Sequence, residues 1–130
     1  MMAARSGLAD TSVFIANESG RPLRGDAVDE VQVSVISIAE LRAGVLAATD
    51  ITTKARRMAT LRDAERLDPL PIDDSVASAW AELRVALRDA GKRMPVNDSW
   101  IAATALANDL AVVTQDDDYE GIPSLTVIRV

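Results

Sequence analysis

The chain has 130 residues, of which 48% are hydrophobic, and its formal net charge is −6. This length suits one compact domain spanning residues 1–130, and the hydrophobic share excludes an intrinsically disordered chain. Histidine and cysteine are both absent, which excludes Ser–His–Asp and Cys–His catalysis, imidazole or thiolate zinc sites, and disulfides.

The amino-terminal part predicts short strands that alternate with helices. Residues 7–9 are expected to form a first strand, and residues 10–12 (DTS) offer N-cap residue types for the helix that follows. Residues 21–25 (RPLRG) predict a loop. The β-branched run of residues 31–36 then predicts a second strand.

Three helices are predicted in the middle of the chain. The first begins at Ser37, which forms an S-x-x-E capping box with Glu40. A basic, amphipathic helix is expected over residues 52–67. The next helix ends at Gly91, placed as a C′ residue, and it has the clearest periodicity of the chain, with apolar residues at Val76, Trp80, Leu83 and Leu87.

The carboxyl-terminal part completes the alternation. Asn97 is expected to cap a further helix, residues 110–114 to form a buried strand and residues 125–130 to form a closing strand. Strands that alternate with helices favour an α/β fold with a mainly parallel sheet.

Acidic residues occupy corresponding places in this pattern. Asp10 follows the first strand, and Asp116 follows the strand that ends at Thr114. Glu40 and Asp98 are expected in the first turns of their helices. Ligands of open parallel α/β sheets bind beyond the carboxyl ends of the strands, so these four acids are expected to gather at one edge.

Four carboxylates gathered at one edge would repel each other. Two of them about 4 Å apart repel by roughly 4 kcal/mol at an effective dielectric constant of 20, so the cluster must be partly protonated or neutralised by cations. Oxygen ligands suit magnesium or manganese. Two such ions can activate a water and stabilise an in-line phosphoryl displacement, which needs no histidine.

Each acid also has a purely structural interpretation. Asp10 can cap the first helix, Glu40 can complete the capping box with Ser37, and Asp98 can interact favourably with a helix dipole. Residues 116–118 (DDD) can form a solvated turn. Taken singly these are ordinary cap and turn residues, and only their order and shared edge indicate a site.

Four segments together resemble the PIN-domain family, and in particular its bacterial VapC-type toxins from toxin–antitoxin pairs. The segments are residues 10–12 (DTS), 35–41 (VISIAEL), 96–103 (VNDSWIAA) and 110–119 (LAVVTQDDDY). The resemblance covers nearly the whole chain. It implies a three-layer α/β PIN-like fold, with a mainly parallel central sheet of four or five strands flanked by helices.

The resemblance also implies a function. It implies a metal-dependent endoribonuclease toxin that uses Mg²⁺ or Mn²⁺ to hydrolyse RNA phosphodiester bonds, commonly in tRNA or other structured RNA. It further implies a homodimer and a cognate antitoxin that blocks the active-site groove. Asp10 and Asp98 would be the principal metal ligands, Glu40 and Asp116 would complete the acidic pocket, and Asp118 would be an additional acid.

Supporting residues are expected around these acids. The resemblance suggests Thr11, Ser12 or Thr114 as groups that orient a water or a phosphate. Arg42 and Arg93 lie near the acids in sequence and are candidates for binding RNA phosphate. Basic residues on an amphipathic helix more often form its solvated face.

The family pattern is not matched everywhere. Family members usually have a more apolar first strand than residues 5–9 (RSGLA), a basic residue where Gln115 stands, and phenylalanine where Tyr119 stands.

An alternative of a different class remains open. The chain would then be a non-catalytic interaction module that acts with an antitoxin in promoter repression. In either case we expect a cytoplasmic protein with no membrane partner, because no apolar run approaches the roughly 20 residues of a membrane span and no secretory signal precedes Asp10. The acidic net charge does not exclude RNA, since metal ions would neutralise the acids that hold them.

Overall fold

The computed structural model describes residues 6–21 and 30–130. Within these residues, four strands and five helices follow one another in the order β1 (Ser6–Ala9), α1 (Thr11–Glu18), β2 (Glu30–Gln32), α2 (Val35–Ala47), α3 (Ile51–Glu65), α4 (Asp74–Asp89), α5 (Val96–Ala107), β3 (Ala111–Thr114) and β4 (Val127–Arg129). The predicted α/β class is confirmed.

The four strands form one parallel sheet in the order β2-β1-β3-β4. Strands β1 and β3 are its central pair, with Leu8 opposite Val112 and Ala9 opposite Val113. Since all strands run the same way, the carboxyl ends of β1 and β3 lie side by side. Asp10 follows the first of these ends directly.

Helices cover both faces of the sheet. Leu8 and Val112 belong to a buried cluster with residues of α4 and α5, whereas Ala9 and Val113 belong to a second cluster with Val13 of α1. This alternation follows from the two-residue period of a strand. The expected three-layer arrangement is therefore confirmed, with a sheet of four strands.

A third cluster joins α2 to α3. Ile38, Leu41 and Val45 of α2 pack against Leu61 and Ala64 of α3. This packing overrides local propensity. The β-branched residues that were predicted as the end of a strand lie in α2 instead.

The predicted boundary between the second strand and its helix was therefore wrong. The strand ends at Gln32 rather than Ile36, and Ser34 caps α2 by accepting a hydrogen bond from the backbone N–H of Ser37 at 3.2 Å. The predicted capping box does not form, and Glu40 lies in the second turn of α2 rather than the first.

Asn97 also does not cap its helix. Pro95 occupies the N-cap position of α5 without a side-chain hydrogen bond, so Asn97 is the second helical residue and Asp98 stays in the first turn. Asp10 caps α1, and Gly91 adopts a φ of 65° just past α4, both as predicted.

The remaining boundaries differ by a few residues. The helix predicted over 52–67 is α3 (Ile51–Glu65), and the strands predicted over 110–114 and 125–130 are β3 and the shorter β4. Of the predicted loop at 21–25, positions 22–25 lie outside the described residues. No helix in the described parts of the chain has the length and apolar character needed to cross a membrane.

Candidate active site

Asp10 is the best-anchored acid of the predicted site. Its side chain is 2% exposed, and both of its carboxylate oxygens are hydrogen-bonded. Ser12 donates to Oδ1 through its hydroxyl at 2.5 Å and its backbone N–H at 3.1 Å, while the Thr114 hydroxyl donates to Oδ2 at 2.8 Å. These bonds fix the carboxylate at the junction of β1, α1 and β3.

Two hydroxyls connect Asp10 to the turn after β3. The Thr114 hydroxyl accepts from the backbone N–H of Asp116 at 2.9 Å, and the Ser12 hydroxyl accepts from that of Gln115 at 3.0 Å. Thr114 is fully buried. Both side chains therefore position Asp10 and the Asp116 turn relative to each other.

Asp98 approaches the same place from the first turn of α5. Its Oδ1 accepts a hydrogen bond from the hydroxyl of the buried Tyr119 at 3.3 Å. Burial, then hydrogen bonding and charge repulsion from Asp118, and then the charge of Asp10 raise the pKa of Asp98 to about 7. The Tyr119 hydroxyl opposes this shift.

The pKa values of two further acids are raised by their surroundings. Burial raises the pKa of Asp10, with the charge of Asp116 as a smaller cause. Burial and the neighbouring charge of Asp118 raise that of Asp116, while Arg129 partly opposes the shift. The aspartates at 10, 98, 116 and 118 thus form one electrostatic group, as expected for acids gathered at a sheet edge.

Glu40 lies beside this group rather than within it. Its Oε1 accepts from the Thr11 hydroxyl at 2.6 Å, and its Oε2 accepts from the Asn97 side-chain amide at 3.4 Å. Thr11 follows Asp10 in the chain, and Asn97 precedes Asp98. Glu40 is therefore held next to both of these aspartates. Glu40 does not act as a capping residue of α2, because Ser34 performs that function.

The predicted basic residues fall in different places. Arg42 forms an exposed ion pair with Glu65 of α3 at 3.6 Å. It lies two residues after Glu40, and residues two apart on a helix do not face each other. Arg93 lines a groove that also contains Asp117 and Asp118.

Two side chains of the site were missed from the sequence. Tyr119 was treated as a departure from the family pattern, and Asn97 as a cap, yet they hydrogen-bond Asp98 and Glu40 respectively. Their positions next to predicted acids were the available signal. Only the tertiary positions of α5 and of the turn after β3 show where these two side chains point.

The described acids do not by themselves form a complete set of ligands for one metal ion. Among residues 6–21 and 30–130, no three acidic side chains are close enough together to hold one metal ion. Their oxygen chemistry and raised pKa values nevertheless fit a divalent cation, since such a cation would relieve the repulsion among them. Asp10 and Asp98 are two side chains of this group that could hold such an ion.

The raised pKa of Asp98 predicts a specific pH dependence of stability. An acid whose pKa is higher in the folded state stabilises the fold fully below its unfolded pKa, and this contribution is lost as the pH rises through about 7. In chelator, the free energy of unfolding of the wild type should fall relative to Asp98→Asn by on the order of 1–3 kcal/mol between pH 5 and pH 8. Urea unfolding at both pH values measures this difference, and a difference independent of pH would contradict the assignment.

The chain is similar in sequence to known proteins. The family model of the PIN domain matches residues 8–125. Ribonuclease VapC4 of Mycobacterium tuberculosis is 50% identical over 131 residues, covering 99% of this chain and 100% of that relative. Ribonuclease VapC5 of the same organism is 47% identical over 129 residues, covering 96% of each chain.

A solved structure of a related protein is similar in fold as well as in sequence. The crystal structure of VapBC-5 from Mycobacterium tuberculosis, a member of the VapBC family of toxin–antitoxin systems, matches with a TM-score of 0.87 at 44% identity. The match covers 96% of this chain and 98% of that one.

Proposed function

Because this chain belongs to the PIN-domain family and resembles VapC ribonucleases over nearly its whole length, we propose that it is the toxin of a toxin–antitoxin pair. Its activity is the hydrolysis of RNA phosphodiester bonds, with tRNA or other structured RNA as the substrate class. The observation that carries this proposal is that hydrogen bonds through Ser12, Thr114 and Tyr119 hold Asp10, Asp98 and the Asp116 turn at the carboxyl edge of β1 and β3.

Mg²⁺ or Mn²⁺ is the cofactor that these residues suit. Asp10 and Asp98 would hold it, with Glu40, Asp116 and Asp118 contributing directly or through water. A bound divalent cation supplies a water of lowered pKa and stabilises charge on the phosphate oxygens. It would also favour the ionised form of Asp98, whose pKa is about 7 without metal.

The surrounding residues hold these carboxylates in place. Ser12 and Thr114 fix both oxygens of Asp10, Tyr119 fixes one oxygen of Asp98, and Thr11 orients Glu40. Such pre-formed hydrogen bonds reduce the reorganisation needed when charge develops during the reaction.

The proposed activity has a direct test. Purified protein is expected to cleave RNA in millimolar Mg²⁺ or Mn²⁺, and excess chelator should stop the cleavage. The same metal should raise the midpoint of thermal unfolding, since a ligand that binds only the folded state stabilises it. Cleavage that survives the chelator would contradict the metal mechanism. Absence of both cleavage and a midpoint shift would favour the non-catalytic interaction module.

We also propose a cognate antitoxin and a homodimer as protein partners. A groove of about 220 Å³ beside Glu40 carries Ile15 and Leu41 together with Arg57 and Glu18. Ile15 is 44% exposed, and Leu46 and Ile51 near the junction of α2 and α3 are 76% and 88% exposed. These exposed side chains lie on α1, α2 and α3, which contact one another, and exposed apolar side chains on adjoining elements support protein–protein contacts.

A further inference from the structure

Four cationic side chains surround a groove at the carboxyl end of α4. The groove has a volume of about 330 Å³, and its cationic members are Arg84, Arg88, Lys92 and Arg93. We call it the basic groove. The buried side chains of Leu87 and Met94 form its apolar floor.

The fold directs these cations toward one side. Arg84 and Arg88 are four residues apart on α4, so they lie on the same helix face. Gly91, with a φ of 65°, then ends the helix and turns the chain. The turn brings Lys92 and Arg93 to the same groove.

Helix stabilisation accounts for only part of this arrangement. A cation in the last turn of a helix interacts favourably with its dipole, and Arg88 occupies that position. The effect falls off within one turn, so it does not explain Arg84, Lys92 or Arg93.

The cations of the basic groove are poorly neutralised, although the whole chain carries −6. Within the described residues, their one ion pair joins Arg88 to Asp89 at 3.4 Å, and both partners are well exposed. Exposed pairs of this kind are worth little. Arg84 instead lies 5.3 Å from the ring centroid of Trp80, and Lys92 donates to the backbone carbonyl of Glu120 at 2.7 Å. Three of the four cations of the basic groove are therefore in no ion pair within the described residues.

The basic groove continues into the acidic site. Leu87, Lys92, Arg93 and Met94 also line an adjoining groove of about 300 Å³ whose other wall includes Asp118. Asp118 directly precedes Tyr119, whose hydroxyl donates to Asp98 at 3.3 Å. The two adjoining grooves thus lead from four cations to Asp118, an acid at the edge of the candidate active site.

We propose that the basic groove binds the phosphodiester backbone of the RNA on one side of the cleavage point, an inference that rests on the proposed function. Guanidinium groups match phosphate oxygens in pairs of hydrogen bonds. We favour RNA over an acidic polypeptide because the adjoining groove leads to Asp118 of the acidic site, which an RNA backbone has to approach in order to be cleaved.

The test compares two double variants that remove the same charge. Arg88→Ala/Arg93→Ala removes one ion-paired and one further arginine from the basic groove. The control, Arg62→Ala/Arg66→Ala, does the same on α3 and its C-cap, where Arg66 pairs with Asp63. All four arginines are exposed, so both variants are expected to fold, and thermal melts check this.

Dissociation constants are measured by fluorescence anisotropy with end-labelled transfer RNA, in chelator, over a series of KCl concentrations. The groove variant should bind about tenfold more weakly at roughly 0.1 M salt, with a salt dependence reduced by about one to two ion equivalents. The control variant should stay within about twofold of the wild type. In Mn²⁺ the groove variant should raise KM and leave kcat unchanged.

Two results would refute the assignment of the basic groove to RNA binding while leaving the proposed function intact. One is wild-type cleavage of RNA with equal affinities for the two double variants. The other is loss of binding to a polyglutamate peptide by the groove variant without loss of RNA binding, which would assign the groove to an acidic polypeptide. A wild type that neither binds nor cleaves RNA would instead refute the proposed function itself.

Discussion

Replacement of Asp98 by asparagine is expected to reduce RNA cleavage by at least about 10²-fold while the protein stays folded. The substitution keeps the shape of the side chain and its contact with the Tyr119 hydroxyl. It removes the negative charge that would hold a divalent cation, and an amide oxygen is a weaker ligand than a carboxylate. Initial rates of cleavage in Mn²⁺, measured for both proteins at equal concentration, give the ratio.

The stability of this variant separates catalysis from folding. Asp98 is partly buried and repelled by Asp118 and Asp10, so its charge destabilises the metal-free protein. Asp98→Asn should therefore unfold at the same temperature as the wild type or higher at pH 8 in chelator. Asp63→Asn, which changes an exposed acid paired only with Arg66 among the described residues, is the matched control and should cleave normally. Equal loss in both variants would contradict the assignment.

Replacement of Gly7 by alanine is expected to lower the free energy of unfolding by about 1–3 kcal/mol. A Cβ at this position would lie 2.5 Å from Cγ2 of Val113 and 3.2 Å from the carbonyl oxygen of Ala111. Gly7 is in β1, between β2 and β3, and Val113 is packed in a buried cluster, so a shift of either neighbour disturbs packed structure. The substitution would force apart the two strands that position Asp10 and Thr114.

Two further variants make this result specific. Gly44→Ala places its Cβ 3.9 Å from Cδ of Arg57, an ordinary contact, and should stabilise α2 by about 0.5–1 kcal/mol. Val113→Ala removes the methyl group that clashes, so the double variant with Gly7→Ala should lose less stability than the sum of the single changes. Urea unfolding of the wild type, the three single variants and the double variant measures these values, and strict additivity would contradict the clash.

The sequence predicts the strand–helix alternation and the edge at which the acids lie. In a parallel sheet, a residue directly after a strand, such as Asp10, must lie at the carboxyl end of that strand and so at the shared edge of the sheet. Asp98 was placed correctly in a first turn because the observed N-cap, Pro95, lies only two residues from the predicted cap, Asn97. These predictions follow from local order along the chain.

Features that depend on tertiary packing were not predictable in the same way. Val35 and Ile36 favour a strand by propensity, yet they enter α2 because its apolar face packs on α3 and the neighbouring core. Glu40 consequently lies in the second turn, held by Thr11 and Asn97 from distant parts of the chain. The hydroxyls of Ser12 and Thr114 meet only because β1 and β3 pair.

The central claim is that the acids at the carboxyl edge of the sheet cleave RNA. Sequencing of RNA ends after controlled expression of the wild type and of Asp98→Asn tests it most directly, because it detects cleavage and identifies the target together. We predict discrete new ends at defined sites in the wild-type sample that are absent from the Asp98→Asn sample. The same new ends in both samples, at equal protein levels, would contradict the claim.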